Sequence, residues 1–389
     1  MRVLADSIAT ERNFQLDKQY MPALTGIRAI AAYMVCLFHY NPFARFFTEG
    51  GWKRLSFAIV NEMHIGVTVF FVLSGFLICY RYYDTNVVIS WPWFKRYLLN
   101  RVARVYPMYL LVTLVTFCLI EWNPSRYELV PLYAHLPSSE RASVFLLNIS
   151  LWKGFFDDYK FTGIVQGWSL TVEECFYLMA PLFMLLIHRN WWFLVLLPIA
   201  MLAVMFGLVG TVGQLHFHGL FEPVNFMFNY TFFGRCLEFF AGISLAVYVH
   251  RKRLIQGLER QGGWITLAGT LFFIVCLLSM AYSNIGGNSK DSFVGIFLNN
   301  AVLPIGIVML FYGLLTERTW LRIMLSTKLF DTLGKSSYIF YLIHSGVISI
   351  WLRTDVSTNA VLQFLLLNIL SILLYKFVES PLHRWLKPN

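Results

Sequence analysis

The sequence predicts an all-α integral membrane protein, a bundle of about ten transmembrane helices with both termini in the cytoplasm. The 389 residues are 58% hydrophobic and only 13% charged, with a mean hydropathy of +0.60. A soluble domain is about 45–50% apolar and about 25% charged. The composition therefore excludes a disordered chain, a disulfide scaffold and an ordinary soluble enzyme.

The apolar residues fall into ten runs, each close to the ~20 residues that a helix needs to cross a bilayer core. The predicted spans are 24–41, 65–82, 102–120, 169–187, 191–210, 234–250, 264–282, 293–315, 337–352 and 359–377. The ninth is the weakest because it is short and carries several polar residues. Residues 1–22 are polar and are expected to form a cytoplasmic N-terminal segment, followed by a single transmembrane domain over 23–389.

Basic residues set the predicted orientation. Lys and Arg number 31 against 21 Asp and Glu, and they cluster after the second, sixth and eighth spans. The connections after the fifth, seventh and ninth spans carry little beyond Lys290 and Arg353. The positive-inside rule then places both termini in the cytoplasm and the long connections 42–64 and 121–168 on the far side. Residues 143–156 are expected to form one amphipathic helix at the interface.

Other partners are not expected. Basic residues that bind nucleic acid cluster on a hydrated surface, whereas here they lie between apolar runs. The six cysteines lie within or beside apolar runs and form no C-x-x-C pair, so neither a metal site nor a disulfide is predicted. The chain has no Walker A, H-E-x-x-H or G-x-S-x-G motif.

Ionisable residues inside the predicted spans mark candidate functional sites, because each costs a few kcal/mol to insert. Arg28 and His39 lie in the first span, eleven positions apart, which is about 16 Å of helical rise and within about 20° of one face. They are therefore expected on one stripe at opposite depths, as a pathway through the bundle would require. The alternative is a snorkelling arginine and an interfacial histidine.

The fourth span begins with a polar face formed by Ser169, Glu173 and Tyr177. Because this span begins on the far side, at a depth similar to His39, Glu173 is predicted to orient that imidazole as a general base. The alternative is structural, since acidic residues are tolerated at a helix N-terminus.

Two further clusters are candidates for binding. Arg101 and Arg104 are i, i+3 neighbours at the cytoplasmic mouth of the third span and suit a multiply phosphorylated ligand, although they could instead be ordinary positive-inside anchors. Ser337, Tyr341 and His344 form a polar stripe in the ninth span, where His344 is either a structural residue or a substrate contact.

Seven segments, taken in order, resemble the motifs of the acyltransferase-3 family of membrane proteins. They are LTGIRAIAA (24–32), LFH (37–39), GVTVFFVLSGFLI (66–78), RVARVYP (101–107), GWSLTVEECFY (167–177), SYIFYLIH (337–344) and VESPL (378–382). The chain departs mildly from the family at Thr25, where many members have Asp, and at Ala29, where many have Gly. Each motif alone is weak, but the ordered set is specific and covers nearly the whole chain.

The resemblance implies a ten-helix enzyme that moves an acyl group, usually acetyl, from acyl-CoA to a hydroxyl. It implies a cell-envelope or exported glycan or glycolipid as acceptor, membrane lipids as surroundings, and the bacterial inner membrane as location. By the same resemblance His39 and Glu173 are catalytic. Acyl-CoA, expected to be acetyl-CoA, would bind Arg28, Arg101 and Arg104. The possible substrate or oxyanion contacts are Ser74, Tyr177 and His344.

Two alternatives stay open at this stage, as does the oligomeric state. A transporter or flippase for lipid-linked glycans could use the same ionisable residues as a proton relay. An acyltransferase could instead act on a small molecule at the cytoplasmic face. Release of CoA would distinguish an acyltransferase from a transporter, and the side on which the acceptor reacts would distinguish the two acyltransferases.

Overall fold

The computed structural model describes residues 20–46, 50–83, 90–127, 136–252, 262–285 and 289–386. Over these ranges the chain is helical and forms no β-strand beyond one isolated bridge. The first helices are α1 (Pro22–His39), α2 (Gly51–Asn61), α3 (Gly66–Tyr82), α4 (Trp91–Trp122), α5 (Ser138–Ile149), α6 (Gly167–Arg189), α7 (Phe193–Gly210) and α8 (Val224–Tyr230). The remaining helices are α9 (Phe232–Lys252), α10 (Trp264–Ile285), α11 (Phe293–Thr316), α12 (Trp320–Leu325), α13 (Lys328–Ile343), α14 (Val347–Trp351) and α15 (Ala360–Leu386).

Nine helical segments in the described part of the chain are long and apolar enough to cross a membrane, by length and composition alone. They correspond to nine of the ten predicted spans, so the prediction of an all-α polytopic membrane protein is confirmed. Turns of π-helix interrupt two of them, at Leu298–Val302 within α11 and at Tyr375–Glu379 within α15. The orientation of the termini stays a prediction, and residues 1–19 lie outside the described ranges.

The predicted ninth span is two helices rather than one. Helix α13 ends at Ile343, and α14 begins at Val347 after a break at residues 344–346. Gly346 has a φ of 104°, a backbone conformation that glycine adopts at little cost. The break leaves His344 in a bend that is completely buried, instead of in the middle of a regular span.

The prediction of a single interfacial helix over residues 143–156 is wrong. Helix α5 ends at Ile149, Leu151 takes a left-handed φ of 60°, and a short 3-10 helix follows at Trp152–Phe155. The apolar pattern of the segment runs across this break, and so sequence periodicity alone could not locate it. The other long connection contains α2, which was not predicted.

Close packing of α3 against α9 forms the centre of the bundle. A methyl group at Gly75 would lie 2.1 Å from the carbonyl oxygen of Phe239, and one at Gly242 would lie 2.0 Å from that of Val72. These glycines let two helix backbones approach closely, the usual role of small residues between membrane helices. Phe71 stacks on Phe239 across the same contact, with ring centroids 4.8 Å apart.

Buried polar groups in this region are paired. Arg235 donates to both carboxylate oxygens of Glu238, at 2.7 and 2.8 Å, and to the hydroxyl of Thr68 at 3.0 Å. Both charged side chains are almost fully buried. A buried pair with this geometry is neutral overall, so it can lie within an apolar bundle.

Candidate active site

Three adjoining cavities run through the bundle from the first turns of α1 to its end. The first, the basic cavity, has a volume of about 540 Å³ and is lined by Arg28, Arg101 and Arg104. The second, the constriction, has about 50 Å³ and is lined by Ser169, Glu173 and Tyr341, among others. The third, the histidine cavity, has about 190 Å³ and contains His39.

Shared lining residues connect the three cavities. The basic cavity and the constriction share Arg28, Phe70, Glu173 and Tyr338. The constriction and the histidine cavity share Val67 and Tyr341. The region between the arginines and His39 therefore contains a small, partly polar cavity and is not packed solid with apolar side chains.

The basic cavity gathers charged side chains from six helices. Its charged or titratable lining residues are Arg28, Arg81, Arg101, Arg104, Lys335, Glu173, Glu379 and His383. Cations outnumber carboxylates, and among the described residues the buried Nε of Arg28 and Oε2 of Glu379 have no hydrogen-bond partner. An excess of cationic groups in a cavity is suited to a multiply charged anion.

Helix α4 aligns Arg101 and Arg104. It is a single helix of 32 residues, longer than the predicted third span because its first turns extend beyond the apolar run, with Ser90 capping its N-terminus. The i, i+3 spacing then turns both guanidinium groups into the basic cavity, as predicted. Arg101 is 8% exposed and donates to the hydroxyl of Tyr82 at 3.3 Å.

The constriction is closed by a contact between α6 and α13. The hydroxyls of Ser169 and Tyr341 are hydrogen-bonded at 2.8 Å, and the ring of Tyr341 meets that of Phe70 edge-on with centroids 5.7 Å apart. The constriction is the smallest of the three cavities.

Glu173 lies at the entrance to the constriction, and its carboxylate accepts a short hydrogen bond from the hydroxyl of Ser74. Tyr177 lines the basic cavity on the same face of α6. The structure does not join Glu173 to His39, whose two ring nitrogens are both buried and, in the part of the chain that the structure describes, have no hydrogen-bond partner. Helix α6 turns Glu173 toward the middle of the bundle, whereas His39 lies at the end of α1.

The side chains around His39 are instead His344, Phe38 and Lys290. The rings of His39 and His344 meet edge-on with centroids 5.1 Å apart. The Nδ1 of His344 lies 2.8 Å from the carbonyl oxygen of Tyr341, which can only accept, so Nδ1 carries the proton and donates. The amide of Gln166 lies 3.4 Å from the Nε2 of His344 and can donate to it. His344 is thus oriented and fully buried beside His39.

A buried lysine positions the loop that carries Gln166. The Nζ of Lys153 donates to the carbonyl oxygens of Thr162 and Ile164, both at 2.5 Å, and the side chain is completely buried. Burial lowers the pKa of Lys153 to about 7. These two hydrogen bonds hold the chain just before α6, where Gln166 and Trp168 enter the histidine cavity.

Lys290 supplies a charge to the histidine cavity. Its Nζ lies 3.9 Å from the centroid of Phe38, and among the described residues it has neither a hydrogen bond nor an ion pair. Burial lowers the pKa of Lys290 to about 8, with Arg235 lowering it further and Glu62 raising it.

The structure thus divides the predicted site residues between two cavities. Arg28, Ser74, Arg101, Arg104, Glu173 and Tyr177 line the basic cavity. His39 lines the histidine cavity, with His344 packed against its ring. Arg28 and His39 were predicted to lie on one stripe of the first span, at opposite depths. In the structure they lie at opposite ends of α1, where Arg28 lines the basic cavity and His39 lines the histidine cavity.

Sequence reasoning missed four residues of the site. Lys335 and Glu379 line the basic cavity, and Lys290 and Gln166 line or adjoin the histidine cavity. A signal was present for two of them: Glu379 lies in the VESPL segment, and Lys290 is a lone cation in a connection otherwise poor in charge. Gln166 and Lys335 stand out by no pattern, because only tertiary packing brings them to a cavity.

Residues 21–375 match the model of the acyltransferase-3 family, described as an acyltransferase domain. The chain belongs to the acyltransferase-3 family. This match covers nearly the whole acyltransferase-3 region predicted from the seven motifs, and it includes every predicted site residue.

Curated relatives of this acyltransferase-3 chain are about equally distant from it. It is 25% identical to the peptidoglycan O-acetyltransferase OatA of Listeria monocytogenes, over 96% of this chain and 57% of the relative. It is also 25% identical to the O-acetyltransferase OatA of Staphylococcus aureus, over 94% of this chain and 58% of the relative. The putative peptidoglycan O-acetyltransferase YrhL of Bacillus subtilis is again 25% identical, over 94% and 55%. The chain thus spans less than three fifths of each, and no solved structure matches it.

Proposed function

We propose that this protein is a membrane O-acetyltransferase that transfers an acetyl group from acetyl-CoA to a hydroxyl of a cell-wall glycan. The names of the OatA and YrhL relatives support the reaction and the class of acceptor. The observation that carries the proposal is the pair of unpartnered His39 nitrogens at the end of a passage that begins among arginines. A buried polar group without a partner is uncommon, and a catalytic role is one explanation for it.

The basic cavity is the proposed donor site. The phosphates of acyl-CoA would bind Arg28, Arg101 and Arg104, whose guanidinium groups form strong, directional hydrogen bonds to phosphate oxygens. The narrow pantetheine arm would then run through the constriction toward His39. Glu173 would accept from an amide N–H of that arm, with Ser74 holding its carboxylate in place. In this proposal Glu173 contacts the donor rather than orienting the histidine.

His39 is the proposed general base. A free ring nitrogen takes the proton of the acceptor hydroxyl as its oxygen attacks the thioester carbonyl. The tetrahedral intermediate then collapses, the C–S bond breaks, and the thiolate of CoA takes the proton back from the imidazolium. The amide of Gln166, held against His344, is placed to donate to the developing oxyanion.

The test of the catalytic proposal is acetyl transfer by the purified protein in proteoliposomes, with labelled acetyl-CoA and a soluble cell-wall glycan fragment. Replacing His39 by Ala should lower kcat by about 10²–10⁴-fold, because general base catalysis contributes about that much. The matched control is His188→Ala, which removes an exposed histidine at the end of α6. Release of CoA measures the same step independently, and a transporter would release none.

The donor site is tested separately with Arg104→Met. Loss of one phosphate contact should raise the KM for acetyl-CoA about tenfold or more, with a smaller change in kcat. Arg189→Met removes an exposed arginine at the end of α6 and should leave the KM unchanged. Normal turnover in His39→Ala would contradict the catalytic proposal, and an unchanged KM in Arg104→Met would contradict the donor site.

A further inference from the structure

The histidine cavity is lined by cations, and the two carboxylates that act on Lys290, those of Glu62 and Asp291, lie outside its lining. Its lining residues in the described part of the chain include two cations and no carboxylate. One cation, Arg235, is neutralised by its buried pair with Glu238. The other, Lys290, lies over the ring of Phe38, and within the described residues its ammonium forms no hydrogen bond or ion pair, so it can pair with an anionic ligand in the cavity.

The walls of the same cavity are aromatic. Tyr230 meets Trp168 edge-on with ring centroids 4.9 Å apart, and meets Phe161 in the same way at 5.5 Å. All three side chains stay partly exposed. Aromatic surfaces with a few fixed polar groups are typical of sites for small organic ligands, and their flat apolar faces suit the faces of sugar rings.

We propose that the histidine cavity is the acceptor subsite and that it selects a sugar unit bearing an anionic group, carboxylate or phosphate, near the hydroxyl that reacts. This inference rests on the proposed function. The ring of the sugar packs against Trp168, its anionic group pairs with Lys290, and its hydroxyl reaches His39. Lys290 is then a determinant of acceptor specificity.

A different role for Lys290 would be stabilisation of the oxyanion on the thioester. The two roles differ in their dependence on the acceptor. A donor to the oxyanion acts in the transition state with every acceptor, and its loss lowers kcat for all of them. A partner for the acceptor's own charge affects only acceptors that carry the charge. Lys290 contacts the ring of Phe38, and the ring of Phe38 in turn contacts that of His39. This separation of Lys290 from His39 favours the second role.

The experiment compares matched acceptors in proteoliposomes with labelled acetyl-CoA. The probes are N-acetylglucosamine, N-acetylmuramic acid, which adds a carboxylate, and N-acetylglucosamine 1-phosphate, which adds a phosphate. We expect a higher kcat/KM for at least one charged acceptor than for the neutral sugar, and the two charged sugars show which anion is preferred. In Lys290→Met the kcat/KM for that charged acceptor should fall about tenfold, while that for the neutral sugar changes less than about twofold.

Two control variants accompany Lys290→Met. Lys290→Arg keeps the charge and should retain the preference for the charged sugar. Lys328→Met removes an exposed lysine at the start of α13, away from the cavity, and it should change neither value. Unaltered transfer to the neutral sugar shows that Lys290→Met is folded.

Each remaining outcome is decisive. An equal loss for neutral and charged acceptors in Lys290→Met, or no loss for either, overturns the acceptor subsite while leaving the proposed function in place. A wild-type protein that prefers the neutral sugar also overturns it. Absence of transfer to every acceptor by the wild-type protein contradicts the proposed function itself and, with it, this inference.

Discussion

At the scale of single residues, the contrast between paired and unpaired buried groups locates the chemistry. Arg235 and Glu238 are hydrogen-bonded to each other, and so are Ser169 and Tyr341. His39 has no such partner. Because an unsatisfied buried polar group costs about 1–3 kcal/mol, its presence at the end of a cavity indicates that a ligand completes it.

Lys290 predicts a pH dependence of acceptor choice. Burial lowers its pKa from 10.5 to about 8, so the ammonium predominates at pH 7 and is lost as the pH rises through 8. The charged and titratable groups that face it are Glu62, Asp291, Arg235, His39 and His64. The ratio of kcat/KM for the charged sugar to that for the neutral sugar should therefore fall between pH 7 and pH 9, measured by label transfer.

The ratio of the two kcat/KM values reports on Lys290 and not on groups whose titration affects both sugars equally. Protonation of His39 changes transfer to both sugars alike and so cancels. In Lys290→Arg the ratio should stay constant over the same range, since a guanidinium stays charged. A ratio that falls equally in Lys290→Arg would assign the pH dependence to another group.

At the scale of elements, several helices each bring one face to a cavity. The continuous helix α4 brings Arg101 and Arg104 to the basic cavity, and α1 spans the distance from Arg28 to His39. Helix α13 ends just before His344, and the bend that follows places this buried side chain beside His39. Rigid helices therefore position the residues of the proposed donor site, and an irregular segment positions the residues around the proposed base.

The crossing of α3 and α9 predicts a stability effect. In Gly75→Ala the new methyl group would lie 2.1 Å from the carbonyl oxygen of Phe239, a backbone atom that cannot move without shifting α9. Overpacking of this kind costs about 1–3 kcal/mol. The melting temperature of the detergent-solubilised protein, followed by size-exclusion chromatography after heating, should fall by several degrees.

A glycine-to-alanine change at a site with open space serves as the control, because it tests the substitution without the clash. Gly207 lies in α7, and a methyl group there meets nothing within 4 Å. Gly207→Ala should leave the melting temperature unchanged or raise it slightly, because alanine favours a helix more than glycine does. Equal behaviour of the two variants would show that the α3–α9 crossing tolerates a side chain.

At the scale of the whole molecule, the cavities connect two ends of the bundle that differ in chemistry. The end containing the basic cavity carries arginines and Lys335, whereas the other carries His39, Lys290 and aromatic side chains. If the basic end faces the cytoplasm, as the charge bias of the loops predicts, donor and acceptor approach from opposite sides of the membrane.

The predicted orientation is testable by labelling single introduced cysteines with a membrane-impermeant maleimide in intact cells. Asp158 and Lys328 are both exposed, and they lie in connections assigned to opposite sides. We expect Asp158→Cys to be labelled in intact cells and Lys328→Cys only after the cells are opened. The wild-type chain, which has no added cysteine, measures background labelling, and the reverse pattern would invert the proposed direction of transfer.

The sequence predicts those features of the site that depend on a single helix. The apolar runs predicted nine spans that the structure contains, and i, i+3 spacing predicted that Arg101 and Arg104 project together. The prediction that Glu173 orients His39 depended on the relative depth and rotation of two helices, and there the structure differs: Glu173 contacts Ser74. The interfacial helix was misplaced because its break at Leu151 leaves no mark in the hydropathy pattern.

The sequence by itself determined that the chain is a helical membrane protein of the acyltransferase-3 family, because hydrophobic run length and ordered motifs are local properties of the chain. Only the tertiary structure decided which side chains share a cavity. It placed His344 and Lys290 near His39, and Glu173 at the constriction. The physical reason is that helix rotation and crossing are set by packing between distant segments, such as Gly75 against Phe239, and no local pattern specifies them.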